Sequence, residues 1–322
     1  MTNKQIREKV VAPIIAAIKE SLDTGDIGKF VMPFPRILPM NTNGRYYRGI
    51  NSFLLSFQSF KSPVWGTWKA WGRKGYEILD PKGYTHIVFA KPWYPTVKKK
   101  DIEGEGESEE EVQVTRNPVW VLRYSRVYNQ QQTSAKDKEP SEIVPALKPK
   151  ADALEFSQSE KARKLEVLQE RFPAPKPTLK VDTSGAFYIP SRDEVHLPPK
   201  EQFHSFEGYA YTLCHEWLAG HATGHPNRLN RKQIEDFSRE SYAFEELVAN
   251  FGACITLARL GIQPDLGNYA AYAQSWARYV VNHKNAEQVL MMALHSAWKA
   301  SDFAFIPAFG SDENGEDDTG ED

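Results

Sequence analysis

Cys214-His215-Glu216-Trp217-Leu218-Ala219-Gly220-His221-Ala222-Thr223-Gly224-His225 is the stretch on which the reading of this chain turns. A histidine beside a glutamate, with further histidines just downstream, is the donor pattern of a zinc peptidase. Zinc takes lone pairs from neutral imidazole or carboxylate, in a tetrahedron. Two histidines four residues apart on a helix point the same way. A glutamate directly after the first then serves as base toward metal-bound water. Here the spacing departs from that pattern. Four residues, Trp217 to Gly220, separate Glu216 from His221, where the usual motif has two. On a regular helix His215 and His221 would lie about 600°, or about 240°, apart. Three arrangements are open: a bulge that reunites His215, Glu216 and His221; a shifted site built on His221 and His225; or no metal site.

Downstream, Tyr242-Ala243-Phe244-Glu245-Glu246-Leu247-Val248-Ala249-Asn250 offers the third ligand. Glu246 is favoured, with Glu245 as the alternate, because Glu246 shares a helix face with Ala249, Asn250 and Ala253. Small residues there let two helices approach closely. Asn250, one turn on, is placed to hold a ligand histidine by a supporting hydrogen bond. The expected site is Glu216 as catalytic base, with His215, His221 and Glu246 on zinc, manganese or another divalent ion.

The 322 residues suffice for two domains. Net charge is −2, which does not advertise nucleic-acid binding, but the acids are bunched. Residues 98–113 hold three lysines and seven acids, and residues 311–322 hold seven acids. The remaining surface is therefore net basic. The first block reads as a solvated hairpin excursion, or alternatively as a mimic of DNA phosphates. Cys214 and Cys254 are too few for a disulfide framework, which suits a cytoplasmic protein. Val10, Val11, Ile14, Ile15 and Ile18 recur at helical spacing. That run is too short for a membrane span and lacks a clear cleavage site for a leader. No membrane partner is expected, and no glycine-rich phosphate fingerprint is present.

Periodicity and breakers predict helices over 1–22, 46–60 and 157–172, then 205–220 or beyond, 238–260, 268–281 and 286–303. Strands are predicted over 86–89, 119–128, 180–190 and 194–197. The class is α+β. A small α+β domain spans 1–133, with 101–113 disordered. A linker spans 134–154, a mostly helical domain 155–308, and an acidic disordered tail 309–322.

The first domain interleaves rings and cations: Arg45, Tyr47 and Arg48 with Asn51, then Trp68, Lys69, Trp71, Arg73 and Lys74. Single-stranded nucleic acid is gripped in this way, by rings that stack on bases and cations that follow phosphates. The same tryptophans, with Trp65, fall at i, i+3 and i+6, a spacing that a core would also use.

The ordered set of motifs resembles the ArdC-type antirestriction proteins, whose first half is related to the conjugative primase TraC. The first half carries the resemblance at Pro39-Met40-Asn41-Thr42-Asn43-Gly44, Tyr47-Arg48-Gly49-Ile50-Asn51, Trp68-Lys69-Ala70-Trp71 and Val127-Tyr128-Asn129-Gln130-Gln131-Gln132-Thr133. The second carries it at Ala186-Phe187-Tyr188-Ile189-Pro190, Thr212-Leu213-Cys214-His215-Glu216, Thr223-Gly224-His225-Pro226 and Tyr242-Ala243 through Val248-Ala249. The resemblance implies a single-stranded-DNA-binding N-terminal domain and a zincin-like, gluzincin-type metallopeptidase domain. It also implies a role in shielding incoming mobile DNA from restriction endonucleases. Alternatives are an active peptidase that cleaves a host protein, and a pure DNA-binding module with an inactive zincin domain. Family members carry two fewer residues between the Glu216 and His221 positions, so His221 aligns as the second ligand.

Overall fold

The computed structural model describes residues 8, 11–24, 38–93, 96–98, 111–113, 119–145, 158–182, 185–231, 239–263 and 277–311. Helix α1 (Ala12–Thr24) buries Ile14 and Ile18 on one face. Strand β1 (Met40–Asn41) is followed by helix α2 (Ile50–Ser56), strand β2 (Val64–Gly66) and helix α3 (Trp68–Arg73). The long strands β3 (Thr85–Trp93) and β6 (Val119–Asn129) enclose the short pair β4 (Thr96–Lys98) and β5 (Glu111–Gln113). The sheet runs β1-β2-β6-β3, with β1 parallel to β2 and the other pairs antiparallel.

Side chains alternate across a strand, so neighbours along β2 and β6 feed different cores. Val64 and Tyr128 join Met40 and Trp71 on one face. Trp65 and Val127 join Leu55 and Ile87 on the other. Helix α2 is shorter than the expected 46–60 because Gly49 takes a left-handed φ of 55° and Tyr46 bridges back to Met40. Only glycine adopts that φ cheaply, so the helix begins after it.

The predicted linker over 134–154 needs correction. Ala135, Ile143 and Val144 are buried against Met40, Val64, Trp71 and Tyr128, and Pro140–Ile143 is a short helix, α4. The Gln130 amide fastens this segment by donating to Ala135 O at 2.9 Å and Lys138 O at 2.6 Å. The first unit thus runs through residue 145, and residues 146–154 lie outside the described set. Of the expected excursion, residues 101–110 lie outside it as well, while 111–113 form β5 rather than disordered chain. The expected tail from 309 begins one helical residue late, with Phe309 closing a helix, and 312–322 are outside.

The second half opens with α5 (Gln158–Glu170), then β7 (Thr178–Val181), β8 (Phe187–Ile189) and β9 (Glu194–Leu197) in the order β7-β9-β8. Helices α6 (Phe206–Leu213), α7 (Arg239–Leu260) and α8 (Ala286–Phe309) complete it. Of the predicted helix over 268–281, residues 277–281 are helical and the rest lie outside the described residues. Among the described residues no helix is long and apolar enough to cross a membrane. The α+β class holds.

The two halves share one core. Phe53 of α2 meets Phe251 of α7 with ring centroids 5.7 Å apart. The Trp298 indole donates to Ser52 Oγ at 3.0 Å. Arg48 pairs with Asp302 and lies 5.0 Å from the Trp298 ring centroid. Asp302 also receives Arg259 of α7 at 2.9 Å. Arg48 is therefore a joint between the halves, a role the sequence reading did not give it. We expect Arg48→Ala to cost about 1 kcal/mol, since the guanidinium is 39% exposed and solvent screens the pair. Denaturant unfolding should remain one transition for wild type, and single-stranded-DNA affinity should be unchanged. Two resolved wild-type transitions would contradict the shared core.

Candidate metal centre and nucleic-acid face

Helix α6 starts cleanly, with Ser205 Oγ accepting from Gly208 N at 3.1 Å. It does not continue to Gly220 as a regular helix. Cys214–Leu218 form one π-helical turn, closed by Ala219 N donating to Cys214 O at 2.9 Å. Wide turns of this kind recur at functional sites. After it the backbone breaks at Gly220, and His221–Gly224 form a 3₁₀ turn. The bulged arrangement, of the three left open, is the one found. His215 and His221 come back together with ring centroids 5.0 Å apart.

Two glycines permit this. A Cβ on Gly220 would sit 1.6 Å from His215 O. A Cβ on Gly252 would sit 2.0 Å from Ala219 O, so α7 can lie directly on the turn only with glycine there. That approach delivers Glu246. Its Oε2 is 3.5 Å from His215 Nε2 and its Oε1 is 3.4 Å from His221 Nε2. One donor atom from each of His215, His221 and Glu246 falls within 4.8 Å of the others. Glu216 is buried, with Oε1 4.0 Å from His215 Nε2. Two imidazoles and a carboxylate make the donor set of catalytic zinc sites that keep one position open, so these residues fit a divalent ion.

The electrostatics follow from burial. Desolvation opposes ionisation of Glu246, but hydrogen bonds and charge from His215 and His221 outweigh it and hold the carboxyl well below its ordinary range. Burial likewise opposes charge on His221, yet Glu246 and the charge of Glu216 raise it. Tyr242, one turn before Glu246, is pushed up to about 12, first by its hydrogen bond to Glu246 and then by burial.

The alternates are placed elsewhere. Glu245 is held by Arg231, with Nε at 3.0 Å and Nη2 at 2.8 Å, and both side chains are buried. Arg231 also donates to Thr223 Oγ1 at 2.8 Å and Gly220 O at 3.0 Å, which pins the segment behind His221 onto α7. His225 lies outside the donor cluster, its Nδ1 accepting from Asn227 N at 3.2 Å. Asn250 is engaged by two other groups. It accepts from the Tyr211 hydroxyl and donates to Glu246 O at 2.6 Å. Arg231 and Tyr211, and the bond of Thr223 to the former, were missed by sequence reasoning. An arginine close behind the histidines and a buried glutamate next to a ligand glutamate were the available signal for the first. Arg228 anchors the following loop through Asp193, Tyr188 Oη at 3.2 Å and Pro175 O at 2.8 Å.

In the N-terminal half the predicted contact residues divide. Trp71 is fully buried and donates to Tyr128 O at 2.9 Å, so it is core and has no face left for a base. Asn51 pairs both ways with the backbone of Val88, at 2.7 and 2.8 Å, capping the outer edge of β3. Tyr47 packs with the Leu55–Trp65 cluster, and Arg45 is half-buried. Trp68, Lys69, Arg73 and Lys74 are exposed on α3. Sequence reasoning missed what lies beside them. Trp68 meets Tyr128, which meets Tyr84, then His86, then Tyr124, with centroid steps of 6.0, 6.5, 5.0 and 5.1 Å. The Arg126 guanidinium lies 4.5 Å from the Tyr84 ring centroid. The alternation of Tyr124, Arg126 and Tyr128 along β6 was the available signal.

Residues 4–128 match the model of the N-terminal domain of anti-restriction factor ArdC, and residues 166–293 match a zincin-like metallopeptidase model. Two DNA primases TraC of Escherichia coli are 30% and 32% identical over 86% and 75% of this chain. The chain spans only 24% and 16% of their lengths. Among solved structures, the antirestriction ArdC protein of plasmid R388 is similar in a metal-free and a Mn(II)-bound form, each at 28% identity. TM-scores are 0.59 and 0.60, covering 90% and 92% of this chain and 96% and 97% of the other. With the ArdC N-terminal domain joined to a zincin-like metallopeptidase domain in one core, the chain belongs to the ArdC-type antirestriction proteins.

Proposed function

We propose that this protein binds single-stranded DNA with its N-terminal half and shields incoming mobile DNA from restriction endonucleases. Its C-terminal half holds a divalent ion, zinc or manganese, at His215, His221 and Glu246. The convergence of those three side chains across an irregular spacing carries the metal half of this reading. The Mn(II)-bound form of the R388 protein supports a divalent ion. Exposed Trp68 beside Lys69, Arg73 and Lys74 supports the DNA half.

A second reading, cleavage of a host protein, rests on Glu216, which is buried beside His215. When bound, the ion would supply polarisation of a water, lowering its pKa toward neutrality. Glu216 is placed to hold that water's proton, and Trp217, packed 5.7 Å from Phe172, fixes the turn that carries it.

Metal should raise thermal stability by about 2.7 kcal/mol at a free concentration about 100-fold above its Kd. Glu246→Ala and His221→Ala should abolish that gain, and a chelator should reverse it in wild type. No stabilisation of wild type by zinc or manganese would refute the metal site. Gly220→Ala should cost about 3 kcal/mol and remove the metal response, because the His215 carbonyl must move.

Glu216→Gln separates the two readings, since it keeps the metal response. Restriction protection that survives in this variant assigns the function to binding; protection that disappears assigns it to cleavage. For the DNA half, affinity for single strands should fall as salt rises, with counterion release. A salt-independent affinity would refute phosphate contacts.

A further inference from the structure

We propose that the outer face of β3 and β6, built by Tyr84, His86, Tyr124 and Arg126 and flanked by Trp68, is the surface on which unpaired bases stack. The proposal rests on the single-stranded-DNA reading above and gives it a place. Four rings in continuous contact with Tyr128 make one strip, and each meets the next edge to face, so the rings present separate planes. The two ends are open to solvent: Trp68 is 52% exposed and Tyr124 37%. Between these ends Tyr84 and His86 are half-buried and Tyr128 belongs to the core beneath, so the exposed planes are those of Trp68 and Tyr124 with the outward sides of Tyr84 and His86. Large rings left in water at a hydrophobic cost mark a contact surface.

The sheet makes the strip rigid. His86 lies opposite Arg126, and Val88 opposite Tyr124, in an unbroken nine-residue register. On β6 the intervening Ser125 and Val127 are buried, so Tyr124 and Arg126 cannot rotate inward without breaking the ladder. Rigid rings lose little entropy on binding. Charge selects the occupant. Arg126 stacks on Tyr84, and Lys69, Arg73, Lys74 and Lys82 are exposed along α3 and the loop before Tyr84. Asp80, in that loop, accepts from the backbone N of Lys82 at 3.3 Å and of Gly83 at 3.1 Å. Stacking planes bordered by cations fit a polyanion whose bases are free to splay, which is single-stranded nucleic acid.

The test compares binding of an oligothymidylate and an abasic backbone of equal length by fluorescence anisotropy, using the full chain. Wild type should prefer the oligothymidylate. Tyr124→Ala and Tyr84→Ala should each weaken it about tenfold while leaving the abasic strand unchanged. Tyr124→Phe should bind as wild type, because the ring and not the hydroxyl stacks. Tyr124→Leu, which keeps apolar bulk, should behave like the alanine variant and guards against a folding defect. Arg126→Gln should lower the salt slope by about one.

Oligothymidylate binding by wild type that is unaltered in the tyrosine variants would overturn this face and leave the DNA reading standing. Absence of binding to either strand by wild type would overturn both. Equal affinity for the two strands would overturn stacking while leaving phosphate binding in place.

Discussion

The second half is organised around one close approach. Gly252 of α7 lies against the carbonyl of Ala219, and Gly220 lies against the carbonyl of His215, with no room at either for a methyl group. A polar carbonyl cannot be pushed aside cheaply in a packed interior, so both positions are fixed by sterics. The hydrogen bond from Ala219 N to Cys214 O widens the turn, and the break at Gly220 with the 3₁₀ turn after it takes up the rest of the two surplus residues. The insertion is taken up between His215 and His221 rather than at them. Both imidazoles keep their direction toward α7, and α7 keeps its carboxylate between them.

The same helix carries the joint to the first half. Arg259, on α7 beyond Glu246, shares Asp302 with Arg48 and rests 3.7 Å from the Phe305 centroid. One carboxylate faces two guanidinium groups, and the aromatic rings of Trp298 and Phe305 cover the remaining charge. Two cations around one anion would be costly in an apolar core without such faces. Thr256 adds a hydrogen bond to Ser301 at 2.9 Å, and Ser301 receives Arg259 at 3.2 Å. A polar network at a seam specifies one docking, since a shifted seam would strand its members. The N-terminal sheet and the helix that carries Glu246 are thereby held in one relative placement.

Much of this was legible in the chain. Helical periodicity found α1 and α5, and the donor residues His215, His221 and Glu246 were named from their chemistry. What could not be read was long-range partnership. The helix face shared with Ala249, Asn250 and Ala253 favoured Glu246 over Glu245, but what engages Glu245 instead, Arg231 fourteen positions earlier, was not legible. Arg48, Asn51 and Trp71 have the right chemistry for a nucleic acid, but Asp302, Val88 and Tyr128 take them first. The linker was misjudged because polar, lysine-rich sequence hides Ile143 and Val144, two apolar residues that reach a core 80 residues upstream at Val64. Local composition reports solvation on average, while burial is decided by a few contacts.

The contrast between Trp71 and Trp68 shows what separates core from surface in such a motif. Three residues apart on a short helix, they point to neighbouring sides. Trp71 finds a carbonyl for its indole N–H and a cavity left by Gly66, whose missing Cβ would lie 3.0 Å from that nitrogen. Burial of a tryptophan requires both shape and a hydrogen-bond partner. Trp68 packs only one edge, against Tyr128, and leaves half its surface in water. A ring that completes a sheet face without being enclosed adds little to folding. Its contribution is an accessible plane, set at a fixed height beside Lys69 on the same helix and continuing into Tyr84, just before β3, and the tyrosines of β6.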